Sequence, residues 1–247
     1  SYWKMKKVLV VGDSSRDIFV YCNALKLCPD FPVPALEVIN QTENAGMAKN
    51  VHRNIKGILD SCDLLTNSNW HQITKTRYVH AESNHMFFRV DTPHKLDRID
   101  VSIINYSDYD LIVVSDYDKG FLTEDDINEI CNNHPKVFID TKKILGSWAD
   151  NAAYIKINNF EYQNSLPYLT AHLKEKIIHT MGAEGCVYQE NRYPVKKVEV
   201  KDVSGAGDTF MAGLVVEYCK TDDIIKSIKF ANKCASEVVT HRGVSVL

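Results

Sequence analysis

Short apolar runs that each end in a polar residue recur along the chain, and this pattern most restricts the possible folds. Five such runs occupy residues 8–11, 111–114, 137–139, 154–157 and 176–179. They are followed, in that order, by Gly12-Asp13, Ser115-Asp116, Asp140, Asn158 and Thr180. Continuous apolar runs of this length are typical of strands buried on both faces. Because helical patterns separate them, we predict an α/β fold: a doubly wound, mostly parallel sheet flanked by helices, with ligands at the carboxyl ends of its strands.

Two apolar stripes with helical spacing predict helices that pack on this sheet. The first stripe consists of Met47, Val51, Ile55 and Ile58. The second consists of Ile224, Ile228, Ala231, Ala235 and Val238.

Two stretches, 18–40 and 73–91, do not follow the alternation of strands and helices. Within the second stretch, 74–80 and 86–91 alternate like exposed strands around a turn at 82–85. We therefore expect a small protruding β-sheet lid, built from about 14–40 and 73–91, within a single domain that spans 1–247. Its partly apolar surface needs a cover, which a bound substrate or a second copy of the chain could supply.

The composition restricts the class of partner. The chain of 247 residues carries a formal net charge of -3, which argues against general electrostatic binding to nucleic acid or to an anionic membrane. No apolar stretch approaches the roughly 18 residues that a membrane helix needs. Seven cysteines without a Cys-x-x-Cys pair are typical of reduced thiols. We expect a cytoplasmic protein whose partner is a small molecule recognised at a site.

The string Asp202-Val-Ser-Gly-Ala-Gly-Asp208 precedes a helical pattern and is the densest chemical signal. Small residues that enter a helix leave backbone N–H groups near the positive end of the helix dipole, which favours an anion. An aspartate there would repel a bound phosphate, but it suits a general base that takes a proton from a hydroxyl attacking a phosphoryl group. We predict that Asp208 is this base and that the N–H groups of Gly205, Ala206 and Gly207 form the anion hole. The alternative is an ordinary helix N-cap.

Other nucleotide and hydrolase motifs are missing from the sequence. Phe210 stands where a dinucleotide fingerprint needs glycine, and the chain has no Gly-x-x-x-x-Gly-Lys loop. It also has no Gly-x-Ser-x-Gly elbow and no His-Glu-x-x-His pair. These absences count against hydride transfer, P-loop hydrolysis and zinc hydrolysis.

The string 202–209 resembles the second signature of the ribokinase (PfkB) family of ATP-dependent sugar and nucleoside kinases, with Ser204 where threonine is usual. Further elements agree in order along the chain. Gly12-Asp13 is similar to the family's sugar-binding aspartate, Ala45-Gly46 with Asn50 to its first signature, 158–161 to its Asn-x-x-Glu element, and 180–185 to its nucleotide-phosphate turn. Met47 departs from the first signature, because it stands where the second glycine is expected.

The resemblance implies a ribokinase-like fold, ATP and Mg²⁺ as cofactors, and a role for each matching residue. Asn158 and Glu161 would act on Mg²⁺ through water. The nucleotide would be bound by Thr180, Gly182, Gly185, Asn232 and Lys142, and the sugar by Asp13, Gly46 and Asn50. The alternatives are structural: Asp13 as a turn residue, Asn158 and Glu161 as strand-end caps, the glycines as a plain turn, and Asn50, Asn232 and Lys142 as helix-surface or solvated polar side chains.

Within the family, the chain resembles most the kinases that phosphorylate D-glycero-D-manno-heptose 7-phosphate at C1, on the path to a lipopolysaccharide precursor. The matching strings are 8–13, 28–38, 50–55, 74–77, 88–91, 115–120 and 230–232. Such an acceptor needs a cationic pocket, and the candidate acceptor-binding residues are Lys49, Arg53, Arg77, Arg89, Asp116 and Lys119.

Two alternatives to a heptose kinase stay open. The segments 59–73 and 158–180 are short for the family, so the acceptor is alternatively another sugar or a nucleoside, such as fructose, ribose or adenosine. The other alternative is a trimmed, catalytically idle relative that only binds ligand. The resemblance also implies a homodimer through the lid strands.

Overall fold

The computed structural model describes residues 6–196 and 205–238, which form twelve strands and six α-helices. In chain order the strands are β1 Val8–Gly12, β2 Ser14–Leu27, β3 Pro34–Met47, β4 Cys62–Leu65, β5 Thr74–His80, β6 Met86–Asp91, β7 Leu111–Asp116, β8 Val137–Thr141, β9 Tyr154–Asn158, β10 Ile177–Thr180, β11 Cys186–Tyr188 and β12 Asn191–Tyr193. The helices are α1 Ala48–Lys56, α2 Glu124–Asn133, α3 Asn159–Ser165, α4 Ala171–Lys174, α5 Ala206–Thr221 and α6 Ile224–Val238.

The main sheet has the strand order β12-β11-β10-β9-β8-β7-β1-β4. The six neighbouring strands β10, β9, β8, β7, β1 and β4 pair in parallel, whereas β11 and β12 are antiparallel additions at one edge. All five strands predicted from the apolar runs are present, so the predicted fold class is confirmed. The sequence pattern missed β4, because only Cys62 of its four residues is buried and no apolar run marks it.

The main sheet is covered on both faces, as expected for buried parallel strands. Alternate residues of β1 divide between two hydrophobic clusters: Val8 and Val10 pack with α1, α5 and α6, and Leu9 and Val11 pack with α2. The carboxyl ends of β1, β7, β8 and β9 therefore open at one edge between these layers.

The two helical stripes are largely confirmed. In α1 the side chains of Val51 and Ile55 are fully buried, but the helix ends at Lys56. Ile58 therefore lies beyond the helix with 38% of its surface exposed, and its predicted place in the stripe was wrong. In α6 Ile228 and Ala231 are fully buried. The side chain of Val238 lies outside the described residues.

Met47 joins β3 to α1 with φ 60° and ψ -129°, a conformation that normally requires glycine. This is the position at which the second glycine of the family signature is expected. The cost for a residue with a side chain is roughly 1–3 kcal/mol. The chain thus keeps the glycine-like turn that starts α1 although the glycine itself is absent.

The second sheet, called here the small sheet, has the strand order β3-β2-β5-β6. Strand β2 follows β1 after the single residue Asp13, so the small sheet starts beside the carboxyl end of the main sheet. Asp17 of β2 lies opposite Lys75 of β5, and Arg77 lies opposite Arg89 of β6. Residues at matching positions share a face, so these charged side chains lie on one face of the small sheet. Within 6–196 and 205–238, no helix is long and apolar enough to cross a bilayer.

Candidate active site

Helix α5 begins at the carboxyl edge of the main sheet and carries Asp208 in its first turn. Gly205, with φ 78°, is the N-cap, and Ala206 and Gly207 are the first two helical residues. Their small side chains leave the first-turn N–H groups open, as an anion site requires. Asp208 is only 4% exposed. The preceding residues of the motif, 202–204, lie outside the described residues.

The carboxylate of Asp208 is held by two neutral hydrogen-bond donors from distant parts of the chain. Tyr117 donates its hydroxyl to Oδ1 at 2.7 Å, and Asn50 of α1 donates its amide to Oδ2 at 3.1 Å. Burial raises the pKa of Asp208 to about 6, although both hydrogen bonds act to lower it. A carboxylate with this pKa is ionised at neutral pH and still basic enough to accept a proton.

A buried ion pair lies next to this carboxylate. Lys156 of β9 donates to Asp140 of β8 at 3.1 Å, and both side chains are nearly inaccessible. A Cβ atom on Gly207 would lie 3.0 Å from the Lys156 Nζ, so the ammonium group is adjacent to the first turn of α5. Lys156 therefore adds positive charge beside the candidate anion hole, while Asp140 keeps it from neutralising Asp208.

Asp13 lies at the end of β1 and is fully buried. Its two oxygens accept backbone N–H groups from Tyr117, at 2.7 Å, and Lys119, at 3.0 Å. Burial and the nearby Asp116 raise its pKa to about 6, against these two hydrogen bonds. A carboxylate has about four acceptor sites, so two hydrogen bonds leave Asp13 able to accept from a ligand hydroxyl.

The other predicted sugar-site residues, Gly46 and Asn50, flank the same region. A Cβ atom on Gly46 would collide with the side chains of Ser15 and Asp17, so only glycine fits beside these groups. Asn50 is 1% exposed and contacts Asp208 directly. The structure thus places Asn50 on Asp208, connects Asp13 to Asp208 through Tyr117, and pairs Gly46 with Ser15, two residues after Asp13.

Asn158 and Glu161 lie at the start of α3. The Asn158 side chain caps the helix by accepting the Glu161 N–H at 3.0 Å, which is the structural role considered above. The buried Glu161 accepts Lys142 Nζ at 2.7 Å through Oε1, but its Oε2 has no hydrogen-bond partner among the described residues. An unpartnered carboxylate oxygen fits a site that a water molecule or Mg²⁺ completes. Burial lowers the pKa of Lys142, but Asp140 and Glu161 outweigh this effect and raise it above the usual value.

The turn after β10 contains Thr180, Gly182 and Gly185. The Thr180 hydroxyl donates to the carbonyl of Ile157, and both glycines have positive φ, 58° and 86°. A Cβ atom on Gly185 would collide with the carbonyl of Tyr193, so this tight turn requires glycine. The backbone of this turn therefore borders the space beyond the carboxyl ends of the main-sheet strands.

Asn232 of α6 is 7% exposed and donates to the carbonyl of Tyr193 at 2.9 Å, so it is not an ordinary helix-surface residue. It borders a cavity of about 370 Å³. The cavity is lined by Pro194, Val195, Lys196, Lys229, Asn232, Lys233, Ser236 and Glu237.

The predicted cationic residues are spread around the acceptor side and are mostly engaged. Lys49 lies 4.0 Å from the Trp70 ring centre, and Arg89 is exposed and pairs with Asp91. Arg77 pairs with Asp17 at 3.8 Å, whereas the half-buried Arg53 has no hydrogen-bond partner for its Nε within the described part of the chain. Lys119 is exposed in the loop after β7.

Asp116 is 2% exposed, and its carboxylate accepts from the Thr141 hydroxyl, the Asp118 N–H and Lys143. These bonds hold the loop after β7, and an acceptor-binding role for Asp116 stays a prediction.

Comparison with known proteins identifies the family. The profile of the pfkB family of carbohydrate kinases matches residues 63–246, which is most of the chain. This protein belongs to the pfkB family. It is therefore a carbohydrate kinase, a phosphotransferase with an alcohol group as acceptor.

Individual relatives agree with this family. The chain is 28% identical to the bifunctional protein HldE of Helicobacter pylori strain G27, over 97% of the chain and 64% of that protein. The chain thus spans less than two thirds of the length of this relative. Its fold is similar to that of ribokinase from Thermotoga maritima, with a TM-score of 0.73 and 15% identity over 97% of this chain and 94% of that one. Arabidopsis thaliana ribokinase in complex with ribose and ATP has a TM-score of 0.65 and 14% identity, over 98% and 95% of the two chains.

Four residues around the candidate site were not among the predicted site residues: Tyr117, Lys156, Lys75 and Asp140, the last of which the sequence analysis marked only as the end of a strand. Lys156 had a usable signal, because a lysine inside the apolar run 154–157 requires a buried partner. Lys75 is only 9% exposed and lies 4.9 Å from the Tyr117 ring centre, but its strand looks like any exposed alternating strand. Nothing in the local sequence connects Tyr117 with Asp208, which lies 91 positions away.

The raised pKa of Asp208 predicts how stability changes with pH. Its folded-state pKa, about 6, lies above the value of about 3.9 for an unfolded chain, so the folded state binds the proton more tightly. Protonation of Asp208 therefore stabilises the folded state at pH 4, and this contribution to the free energy of unfolding is lost as the pH rises through 6. Asp208→Asn avoids the cost of a buried charge, so its free energy of unfolding relative to wild type should rise by up to roughly 3 kcal/mol between pH 4 and pH 8.

Denaturant unfolding at both pH values measures this difference, in which effects that do not depend on pH cancel. Asp63→Asn is the matched control with the opposite sign, since a hydrogen bond from Tyr109 lowers the pKa of Asp63. An Asp208→Asn difference that stays constant from pH 4 to pH 8 would contradict the assigned pKa.

Proposed function

We propose that this pfkB-family kinase transfers the γ-phosphoryl group of ATP to a hydroxyl of a sugar phosphate, most specifically C1 of D-glycero-D-manno-heptose 7-phosphate. The observation that carries the proposal is the buried Asp208 carboxylate at the start of α5, held by Tyr117 and Asn50. A buried acid with two neutral partners and a pKa of about 6 is suited to proton transfer rather than to structural ion pairing.

In this proposal Asp208 accepts the proton of the attacking hydroxyl. The first-turn N–H groups at Gly205, Ala206 and Gly207, together with Lys156, stabilise negative charge on the phosphoryl oxygens. Asp13 accepts hydrogen bonds from sugar hydroxyls, and Asn50 fixes Asp208 beside the reacting hydroxyl.

The nucleotide side of the proposal rests on Glu161, Lys142 and the turn after β10. Glu161 Oε2 has no hydrogen-bond partner among the residues that the structure describes, so it would suit a water bound to Mg²⁺, with Asn158 beside it and Lys142 available to phosphate. When bound, Mg²⁺ neutralises charge on the β- and γ-phosphate oxygens. Thr180, Gly182 and Gly185 let the backbone approach the phosphates, and Asn232 lines the cavity proposed for the base and ribose.

A phosphorylated acceptor is favoured by the charges on the small sheet. Burial lowers the pKa of Lys75, and the nearby positive charges of Arg89, Lys119 and Arg77 lower it further. The carboxylate of Asp17 acts in the opposite direction and raises it. Arg77, Arg89 and Lys119 thus lie near enough to Lys75 to affect its charge, while Arg77 pairs with Asp17 and Arg89 pairs with Asp91. The four cations outnumber these two acids. Such a surplus beside the acceptor carboxylate Asp13 is what a dianionic phosphate group would neutralise.

The heptose itself is supported by the similarity to HldE proteins and by the sequence strings that carry the resemblance. A different sugar or a nucleoside is the second candidate, favoured by the shortened segments 59–73 and 158–180. The intact set of Asp208, Asn158 and Glu161 counts against an idle ligand-binding relative, since binding alone does not need a buried base.

Asp208→Asn should abolish most of the turnover, because the amide cannot accept the proton. General-base catalysis contributes roughly 10²- to 10⁴-fold, so kcat should fall by about that factor while Mg·ATP binding persists. Coupled ADP release and calorimetric titration with a non-hydrolysable ATP analogue measure the two effects. Wild-type turnover in the variant would refute the base assignment.

An acceptor panel measured with the wild-type enzyme decides the substrate. It should include heptose 7-phosphate, fructose, ribose, adenosine and their phosphates, with the products identified by mass spectrometry. The proposal expects the highest kcat/KM for the heptose phosphate. The absence of both transfer and Mg·ATP-dependent thermal stabilisation would favour the idle relative instead.

Lys75→Gln tests the phosphate pocket. It should raise KM for a phosphorylated acceptor by roughly 10- to 100-fold, the value of a charge-assisted hydrogen bond, and leave KM for the same sugar without phosphate nearly unchanged. Lys26→Gln, at the exposed far end of β2, is the matched control. Equal effects on both acceptors would exclude Lys75 as a phosphate ligand.

The small sheet also carries the exposed apolar surface expected for an interface between two copies. Its exposed apolar residues include Leu25, Leu27, Val38, Ile39, Met86, Phe88 and Val90. Exposed apolar residues on a protruding sheet are stabilised by a partner of the same kind, because two-fold pairing buries both copies of them. We therefore propose a homodimer through the small sheet.

Light scattering after gel filtration should give twice the chain mass at micromolar concentration. The double variant Phe88→Glu with Val90→Glu should convert the protein to a monomer, since each charge would be buried at the interface. Ile103→Glu, on an exposed residue outside the small sheet, should remain dimeric. A wild-type protein that elutes only as a monomer would eliminate the proposal.

A further inference from the structure

Tyr117 contacts both carboxylates of the proposed active site, Asp13 and Asp208. It follows β7, and its backbone N–H donates to Asp13 Oδ1 at 2.7 Å. Its hydroxyl, at the other end of the same residue, donates to Asp208 Oδ1 at 2.7 Å. One residue therefore spans the two carboxylates and fixes the distance between the proposed sugar ligand and the proposed base.

The ring of Tyr117 lies within cation–π distance of two lysines from different parts of the fold. Lys75 Nζ, from the small sheet, is 4.9 Å from the ring centre, and Lys142 Nζ, after β8, is 5.4 Å from it. Contacts of this kind attract a cation to the ring. Lys142 in turn contacts Glu161, so the tyrosine also connects the acceptor side with the nucleotide side.

The hydroxyl of Tyr117 is suited to a permanent donor role. Burial and the charge of Asp208 raise the pKa of Tyr117 far above its usual value, so the hydroxyl stays protonated and keeps donating. A neutral donor stabilises the ionised carboxylate without neutralising it, unlike a lysine or arginine at the same place. It also occupies one acceptor site of Oδ1 and so sets the orientation of the carboxylate.

We propose that Tyr117 is a positioning residue that orients the Asp208 carboxylate and holds it at a fixed spacing from Asp13, so that the acceptor hydroxyl meets a preorganised base. This inference rests on the proposed function of Asp208. It adds that the spacing of the two carboxylates is set by the covalent length of one side chain. Within 6–196 and 205–238, the charged and titratable groups that act on Asp208 include Tyr117, Asp140, Lys142 and Lys156.

Tyr117→Phe tests the proposal with little disturbance, because it keeps the ring, its lysine contacts and the backbone N–H to Asp13. Loss of a hydrogen bond to a charged group should reduce kcat roughly 10- to 100-fold, with KM for the acceptor nearly unchanged. In the wild type the hydrogen bond from Tyr117 lowers the pKa of Asp208. Its loss should raise this pKa and move the acidic limb of the kcat–pH profile to higher pH. A purely structural tyrosine would not move that limb.

Tyr109→Phe is the matched control, since it removes a tyrosine–aspartate hydrogen bond of the same 2.7 Å length from Asp63, outside the site. It should keep the wild-type kcat and pH profile. Asp208→Asn is measured alongside. If that variant is inactive while Tyr117→Phe keeps the wild-type kcat and acidic limb, the positioning role is refuted and the proposed base survives. Equal losses in both tyrosine variants would also refute the role, and an active Asp208→Asn would remove the base on which it rests.

Discussion

The rest of the site depends on a carboxylate that is kept charged while it is buried. Removing Asp208 from water is costly, and the chain meets this cost with two neutral hydrogen bonds rather than with an ion pair. Lys156, a lysine near Asp208, is bound to Asp140 and therefore leaves Asp208 un-neutralised. The result is an acid with a pKa of about 6, which a direct salt bridge would have lowered.

These two hydrogen-bond donors come from parts of the fold that are distant from Asp208 in the sequence. Asn50 requires α1 to start beside the site, and Tyr117 requires the loop after β7 to cross the end of β1. The turn at Met47 belongs to the same requirement, because it directs α1 from the small sheet towards Asp208. A strained residue at that point is consistent with the general tendency of functional sites to hold backbone strain.

Charge is separated across the site in a way that suits the proposed transfer between two anionic substrates. The acids Asp13 and Asp208 lie at the centre, where the proposal places the acceptor hydroxyl and its proton. The cations lie outside them, with Lys75 and Arg77 on the small sheet and Lys142 next to Glu161. Under the proposed function, this arrangement would let one pocket hold phosphate groups on both sides without cations neutralising the base.

The sequence by itself determined the class of the fold and the ends of chain segments that carry chemistry. Apolar runs predict buried parallel strands, and the residues that follow them, Asp13 and Asn158, had to lie at one edge of the sheet. Asp208 was equally visible, because small residues before a helix mark an anion site locally. The partners of that carboxylate were not visible. Tyr117 and Asn50 reach Asp208 from a loop and a helix far apart in sequence, and only tertiary packing, which excludes water from Asp208, decides which donors must meet it.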